Sequence, residues 1–242
     1  MNNDEKKVLS QFDSWHRTKD IDLEVATPWH SFFISKVGDL SLKGKTVLEI
    51  GCGRGGFAFW LSKNYGSAYD KFVAADFSGE AVSMAQNHAK QNSIQNVQFE
   101  TQDIQQTTFP DQHFDIIISF ETIEHVPNPR KAIRELHRIL KPNGTLLLTT
   151  PNYLGFFGLY RIYLRLTGRR WKEAGQPINQ FVTIPKTNYW LRSSGFEVKY
   201  FDSEDISIPW PGKRKVLRFN WNSPKWLMKY LGLQSFFICS RK

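Results

Sequence analysis

The stretch Thr46-Val47-Leu48-Glu49-Ile50-Gly51-Cys52-Gly53-Arg54-Gly55-Gly56 decides the fold. Its first five residues, apolar at 47, 48 and 50, read as a buried strand. Four glycines in the next six residues break that strand, and the spacing predicts a helix over Phe57 to Lys63. Strand, glycine turn and helix open a βαβ unit. Further strands are expected at 72–75, 97–100, 114–120 and 145–150. Between them, Ser78 starts a helix running to Asn92. Ala132, Ile133, Leu136, Ile139 and Leu140 recur at helical spacing over Pro129 to Leu140, and Pro142-Asn143-Gly144 is read as the stop. Such alternation predicts an α/β protein with a parallel, doubly wound sheet.

The chain has 242 residues, enough for one such domain and an appendage. It carries only two cysteines, Cys52 and Cys239, far apart. That is neither a disulfide framework nor a zinc spacing, so a reducing, cytoplasmic setting is expected. The polar N-terminus MNNDEKKVLSQF does not read as a signal peptide, and no uncharged apolar run is long enough to span a bilayer. Charge divides unevenly. Residues 1–150 hold 16 Lys and Arg against 18 Asp and Glu, a balance of −2, whereas residues 151–242 hold 16 against 5, a balance of +11. A basic C-terminal part fits an anionic surface or partner; a solvated basic face is the alternative.

Gly51, Gly53 and Gly56 match G-x-G-x-x-G, a pattern that serves dinucleotides. A pyrophosphate would not welcome Glu49, two residues before the first glycine. A carboxylate there suits a cationic ligand without phosphate. S-adenosylmethionine (SAM), with its ammonium and sulfonium, is such a ligand, and the glycines admit it close to the backbone. Asp76, closing the second strand, suits ribose hydroxyls; Asp103, after the third, suits an adenine amino group. All three acids fall at C-terminal strand ends, where open α/β sheets bind ligands.

The ordered series VLEIGCGRG (47–55), AADFS (74–78), QDI (102–104), FDIIISFETIEHV (114–126) and LKPNGTLLLTTPN (140–152) resembles the motifs of class I SAM-dependent methyltransferases. The resemblance covers about residues 44–152. It implies a Rossmann-like sheet of seven strands, the last antiparallel, with strands six and seven at 196–201 and 235–240. It also implies that Glu49, Gly51, Gly53 and Asp76 hold SAM, that Phe77 flanks the adenine, and that Asp103 and Ile104 cap it. Four segments follow: an N-terminal helical lid at 1–43, the SAM-binding core at 44–152, a basic aromatic insertion with a helix at 153–195, and closing strands with a basic connection at 196–242.

Directly after the fourth strand stand Glu121, Glu124 and His125. On a helical turn, positions i, i+3 and i+4 share a face, so the three are expected to converge beside the SAM methyl. Two carboxylates and an imidazole would suit Mg2+ or another divalent cation. Such an ion would acidify and align a substrate hydroxyl. E-x-x-E-H resembles the metal box of the O-methyltransferases of ubiquinone biosynthesis and of the small-RNA 2′-O-methyltransferases. In other relatives the same residues work without metal, with His125 as base or substrate contact and Glu124 beside it. No histidine follows His137, where the RNA branch expects a further ligand, so nucleic acid is the less favoured partner. The other histidines, at 16, 30, 88, 113 and 137, carry no motif.

Beyond the core, Arg161, Arg165 and Arg169 recur every fourth residue among Phe156, Phe157, Tyr160, Tyr163, Leu164 and Trp171. Residues 213–230 repeat the mixture of Lys, Arg and aromatics. A basic stripe with an aromatic face reads as an interfacial helix, so 154–171 and 213–230 are candidates for an anionic membrane surface. A substrate lid folded onto the core and single-stranded nucleic acid are the alternatives. The sequence thus points to SAM-dependent O-methylation of a hydroxyl on a small or lipid-linked molecule. An RNA 2′-O-methyltransferase and a SAM-binding module without turnover remain alternatives.

Overall fold

In the computed structural model of the chain, residues 3–17, 27–169, 176–204, 207–209, 216–218 and 229–242 are described. Two helices, α1 (Asn3–Arg17) and α2 (Pro28–Leu40), precede the sheet. Then come β1 (Thr46–Ile50), α3 (Gly56–Tyr65), β2 (Lys71–Asp76), α4 (Gly79–Gln91), β3 (Gln98–Thr101) and β4 (Phe114–Phe120). After a short 3-10 turn at Ile123–His125 follow α5 (Pro129–Ile139), β5 (Leu140–Pro151), α6 (Phe156–Leu166), α7 (Ile184–Ser193) and β6 (Phe196–Glu204). A small hairpin, β7 (Ser207–Pro209) with β8 (Val216–Arg218), and the closing strand β9 (Gln234–Arg241) complete the chain.

The seven-stranded sheet runs β3-β2-β1-β4-β5-β9-β6. β1 pairs in parallel with both β2 and β4, while β9 is antiparallel to both its neighbours, β5 and β6. The doubly wound architecture and its reversed last strand are as expected. The strands are apolar on both faces because both faces are covered. Val47, Phe72, Ile116, Ile118 and Leu147 face one core with α2, α3 and α4. Leu48, Ile50, Val73, Ile117, Leu146 and Leu148 face the other with α5 and α7. Helix α5 turns Ala132, Ile133, Leu136 and Ile139 wholly inward.

One boundary differs. Helix α5 ends at Ile139, and Pro142-Asn143-Gly144 lies inside β5 rather than at a helix stop. Lys141 precedes a proline, which disfavours helical backbone there, so the chain is extended by Leu140. Leu140 pairs with Phe114 and Thr145 with Ile116, so the tripeptide is a bulge with Asn143 at φ 60°. The hairpin β7–β8 was not signalled in the sequence.

Asn152, just past β5, ties the chain after the core to β9. Its Nδ2 donates to the carbonyls of Tyr230 (2.7 Å) and Gly232 (2.8 Å), and its Oδ1 accepts from Leu154 and Ile184 N–H. The side chain is buried, so no water can replace these partners. Asn152→Leu keeps the branched shape, though it is bulkier, and strands those groups, each worth about 1–3 kcal/mol. Urea denaturation should show a loss of that size or more; an unchanged midpoint would remove Asn152 from this role.

Candidate active site

The glycine turn leaves β1 with Gly51, Gly53 and Gly55 at positive φ. Gly56 is the first residue of α3, so the third turn glycine is Gly55 and not the residue of the G-x-G-x-x-G pattern. At Gly51 (φ 85°) a Cβ would overlap the side chain of Thr122, so the turn can hug the end of β4 only as glycine. Asp76 at the end of β2 holds the turn: its Oδ2 accepts from Gly53 N–H (2.7 Å) and its Oδ1 from Ser78 N–H (2.9 Å).

Above these strand ends opens a cavity of about 310 Å³. Glu49, Gly51, Gly53, Asp76, Phe77, Asp103 and Ile104 all line it, as do Glu121 and His125. Glu49 is buried on β1, and its Oε2 has no hydrogen-bond partner among the described residues. Burial, with the negative charge of Asp76 adding to it, pushes the Glu49 carboxyl up to about 8. A buried acid beside a second acid, aimed into a cavity, fits a cationic ligand, and those oxygens are the acceptors a SAM ammonium needs. Asp76 keeps acceptor capacity for ribose hydroxyls beyond its two backbone donors. Asp103 Oδ1 accepts from Gln105 N–H (2.8 Å), which fixes the loop rim.

The E-x-x-E-H cluster does not converge. Glu121 lies outside the turn with φ 48°, and the turn is a 3-10 turn, so α-helical i, i+3, i+4 geometry does not apply. Glu121 and His125 face the cavity. Glu124, expected at the substrate or on a metal ion, is 0% exposed, accepts from Thr150 Oγ1 (3.0 Å) and forms no part of the wall. Among the described residues no three His, Cys, Asp or Glu side chains are grouped to hold a metal ion. The arrangement therefore does not fit the divalent cation that the spacing suggested. Instead His125 is framed by protein. Its Nδ1 sits 2.8 Å from the carbonyl oxygen of Ile178, which only accepts, so Nδ1 carries the proton. Its Nε2 lies 3.4 Å from Glu124 Oε1.

A helical lid was expected at 1–43, but the residues of it that line the cavity carry no motif and were not singled out. Val8, Phe12, Trp15 and His16 of α1 and Trp29 and His30 of α2 line it, with Phe57 and Phe120 below. His16 Nδ1 meets Arg54 Nη1 at 3.0 Å, and Ser78 Oγ donates to Asp13 Oδ1 (2.5 Å). Arg17 reaches Glu80 at 3.2 Å. His30 bonds Thr27 Oγ1 and packs on Phe57 and Trp60. Neither histidine sits in a local motif; only the fold brings them here.

Comparison with known proteins bears on the family and the fold. Residues 41–177 match the family model of a methyltransferase domain. A Coxiella burnetii protein named ubiquinone biosynthesis O-methyltransferase is 34% identical over 160 residues, 66% of this chain and 66% of its own length. The chain thus spans just under two thirds of that relative. A Xanthomonas oryzae protein of the same name is 28% identical over 183 residues, 73% of this chain and 72% of its own. Among solved structures, a SAM-dependent methyltransferase from Methanosarcina mazei superposes with TM-score 0.64 at 18% identity, over 85% of this chain and 96% of that one. A cyclase superposes with TM-score 0.61 at 16% identity, over 97% and 92%, so likeness at this level fixes the fold and not the reaction.

In the unfolded chain Glu49 titrates near its ordinary value of about 4.3; in the fold it titrates at about 8. Between those values the unfolded state holds fewer protons, so stability without ligand falls as pH rises through the window. Glu49→Gln removes that titration. Urea denaturation at pH 5 and pH 8 should show a smaller loss for the variant, with weaker SAM binding; equal losses would refute the assignment.

Proposed function

Because the chain belongs to the SAM-dependent methyltransferases, we propose that it transfers the methyl group to a hydroxyl of an aromatic or lipid-linked acceptor. The observation that carries this reading is His125, held with its proton on Nδ1 at the wall of an aromatic-lined cavity shared with the SAM residues. Bound SAM supplies an electrophilic methyl on a sulfonium. Glu49 would take its ammonium, Asp76 its ribose, and Phe77, Asp103 and Ile104 its adenine. Trp29, Phe57, Phe120, Val126 and Pro127 would clasp the acceptor and keep water away. With Nδ1 committed to Ile178, Nε2 is the basic nitrogen and takes the hydroxyl proton. Glu124, whose Oε1 lies 3.4 Å from that same Nε2, then offsets the imidazolium, acting through His125 rather than on substrate. The O-methyltransferase names of the Coxiella and Xanthomonas relatives support the choice of oxygen.

The partner surface in this reading is an anionic membrane, met through α6. Leu159, Ile162, Tyr163 and Leu166 lie on one exposed stripe, with Leu159 64% and Leu166 82% exposed, and Arg165 and Arg169 are exposed around it. That spacing is the apolar face of an interfacial helix. Arg161, expected in the same basic stripe, is turned inward over Tyr153, so the stripe is narrower than its period implied. Lys213, Arg214, Lys215, Phe219, Trp221, Lys225, Trp226 and Trp171 lie outside the described residues. Among the described residues no helix is long and apolar enough to cross a membrane.

Methyl-labelled SAM, offered with lipid, RNA and small-metabolite extracts of the source cells, tests the reaction. Label is expected in the lipid or small-metabolite fraction as an ether. Label confined to RNA, or no label from a protein that binds SAM, would overturn the reading. His125→Asn should cut turnover by about 10²–10⁴ while SAM affinity holds. Leu159→Glu with Leu166→Glu should abolish sedimentation with anionic vesicles; retained binding would place the lipid contact elsewhere.

A further inference from the structure

Arg161 lies on α6, a helix whose far face is exposed, yet its guanidinium is spent inside. It stacks on Tyr153 (4.0 Å to the ring centre) and reaches Phe181 (5.5 Å). Its Nη2 donates to the carbonyl of Asn179 (3.0 Å), and its Nη1 to Asn179 Oδ1 (3.2 Å) and, at 3.4 Å, to the carbonyl of Gln180. Tyr153 Oη donates to the same Asn179 Oδ1 (3.2 Å). A planar fork on an aromatic face thus grips one short segment, a grip that lysine cannot reproduce.

The segment it grips, 176–181, has no regular secondary structure and no ladder to hold it. It crosses the site. Gln176 lines the cavity, Gln180 N–H donates to the Glu124 carbonyl (2.8 Å), and Gln180 Nε2 lies 3.3 Å from the carbonyls of Val126 and Pro127. Between these anchors, the Ile178 carbonyl takes the Nδ1 proton of His125. The bond that sets which nitrogen of His125 is basic is therefore made by a strap, and Arg161 holds the two strap residues that follow Ile178.

We propose that Arg161 is a positioning residue for the transfer reaction: by fixing the 176–181 strap it presents the Ile178 carbonyl to His125 and sets the imidazole tautomer that leaves Nε2 basic. The consequence for transfer rests on the reading of His125 as base; the consequence for the tautomer does not. A second link follows from the same contacts. Arg161 shares α6 with the exposed Leu159, Ile162, Tyr163 and Leu166, so the helix that meets the surface also holds the strap over the site.

The test uses the full chain with S-adenosylhomocysteine bound and ring nitrogens of histidine labelled with 15N. The wild type should show His125 with a protonated Nδ1. Arg161→Met should shift His125 towards the Nε2–H tautomer, and Arg161→Lys should fall between, since charge without the planar fork restores part of the grip. Asn179→Ala, which leaves the stack on Tyr153 intact, should shift it in the same direction and serves if Arg161→Met does not fold. Arg192→Met on α7 is the control and should change nothing. Turnover of Arg161→Met should fall about a hundredfold, the scale of a misplaced catalytic group, with the affinity for S-adenosylhomocysteine unchanged. A His125 tautomer unmoved in both Arg161→Met and Asn179→Ala overturns the proposal. A shifted tautomer with full turnover supports the positioning of His125 and instead refutes His125 as the base.

Discussion

The constraint on which the site depends is a carboxylate buried where the protein offers it no cation. Glu49 lies next to the end of β1, out of water, with Asp76 from the neighbouring strand close enough to raise its pKa further. Burying such a group unpaired is costly, and protonation is the relief open to it without ligand. No ion pair reaches Glu49 among the described residues, so its charged form would need a cation from outside the protein. The glycine turn, the strand order that sets β2 and β4 on either side of β1, and the roof of α1 and α2 together define what can arrive. These features suit the ligand proposed above, cationic at one end, with hydroxyls and room beneath an aromatic cover.

Much of this was legible because local rules coincide with the fold. The strands read as apolar runs since each lies between two helical layers. Glu49, Asp76 and Asp103 could be placed at strand ends before any coordinate was known. The failures have physical causes. Glu121, Glu124 and His125 look like one helical face, but Glu121 takes a left-handed backbone at the strand end and the turn is 3-10, so one acid goes to the cavity and the other into the core. Pro142-Asn143-Gly144 reads as a stop and is a bulge, because β4 offers partners on both sides of it. Arg161 keeps the period of a surface stripe and leaves it for the ring of Tyr153, in the turn between β5 and α6. His16 and His30 are invisible to motif reading because their neighbours come from remote segments.

The two halves of the site are built on different principles. In the proposed reading the SAM half would stand on strand ends and a tight turn, where Asp76 accepts from Gly53 and Ser78 N–H. The acceptor half would be assembled from α1, α2, the turn after β4 and an irregular strap, all of which line the cavity. Such parts open at lower free energy than a sheet does. That division suits a cofactor of constant shape and an acceptor that must come and go. It also makes the exposed stripe of α6 and the strap on its inner side parts of one unit.

The most direct test of this account is the proton balance of SAM binding, measured by titration calorimetry at pH 7 in buffers of differing ionisation enthalpy. If Glu49 is held neutral by burial and becomes charged against the ligand's ammonium, binding releases a proton, and Glu49→Gln abolishes that release. Binding with no proton released, or a release that persists in the variant, would contradict the claim that an unpaired buried carboxylate organises the site.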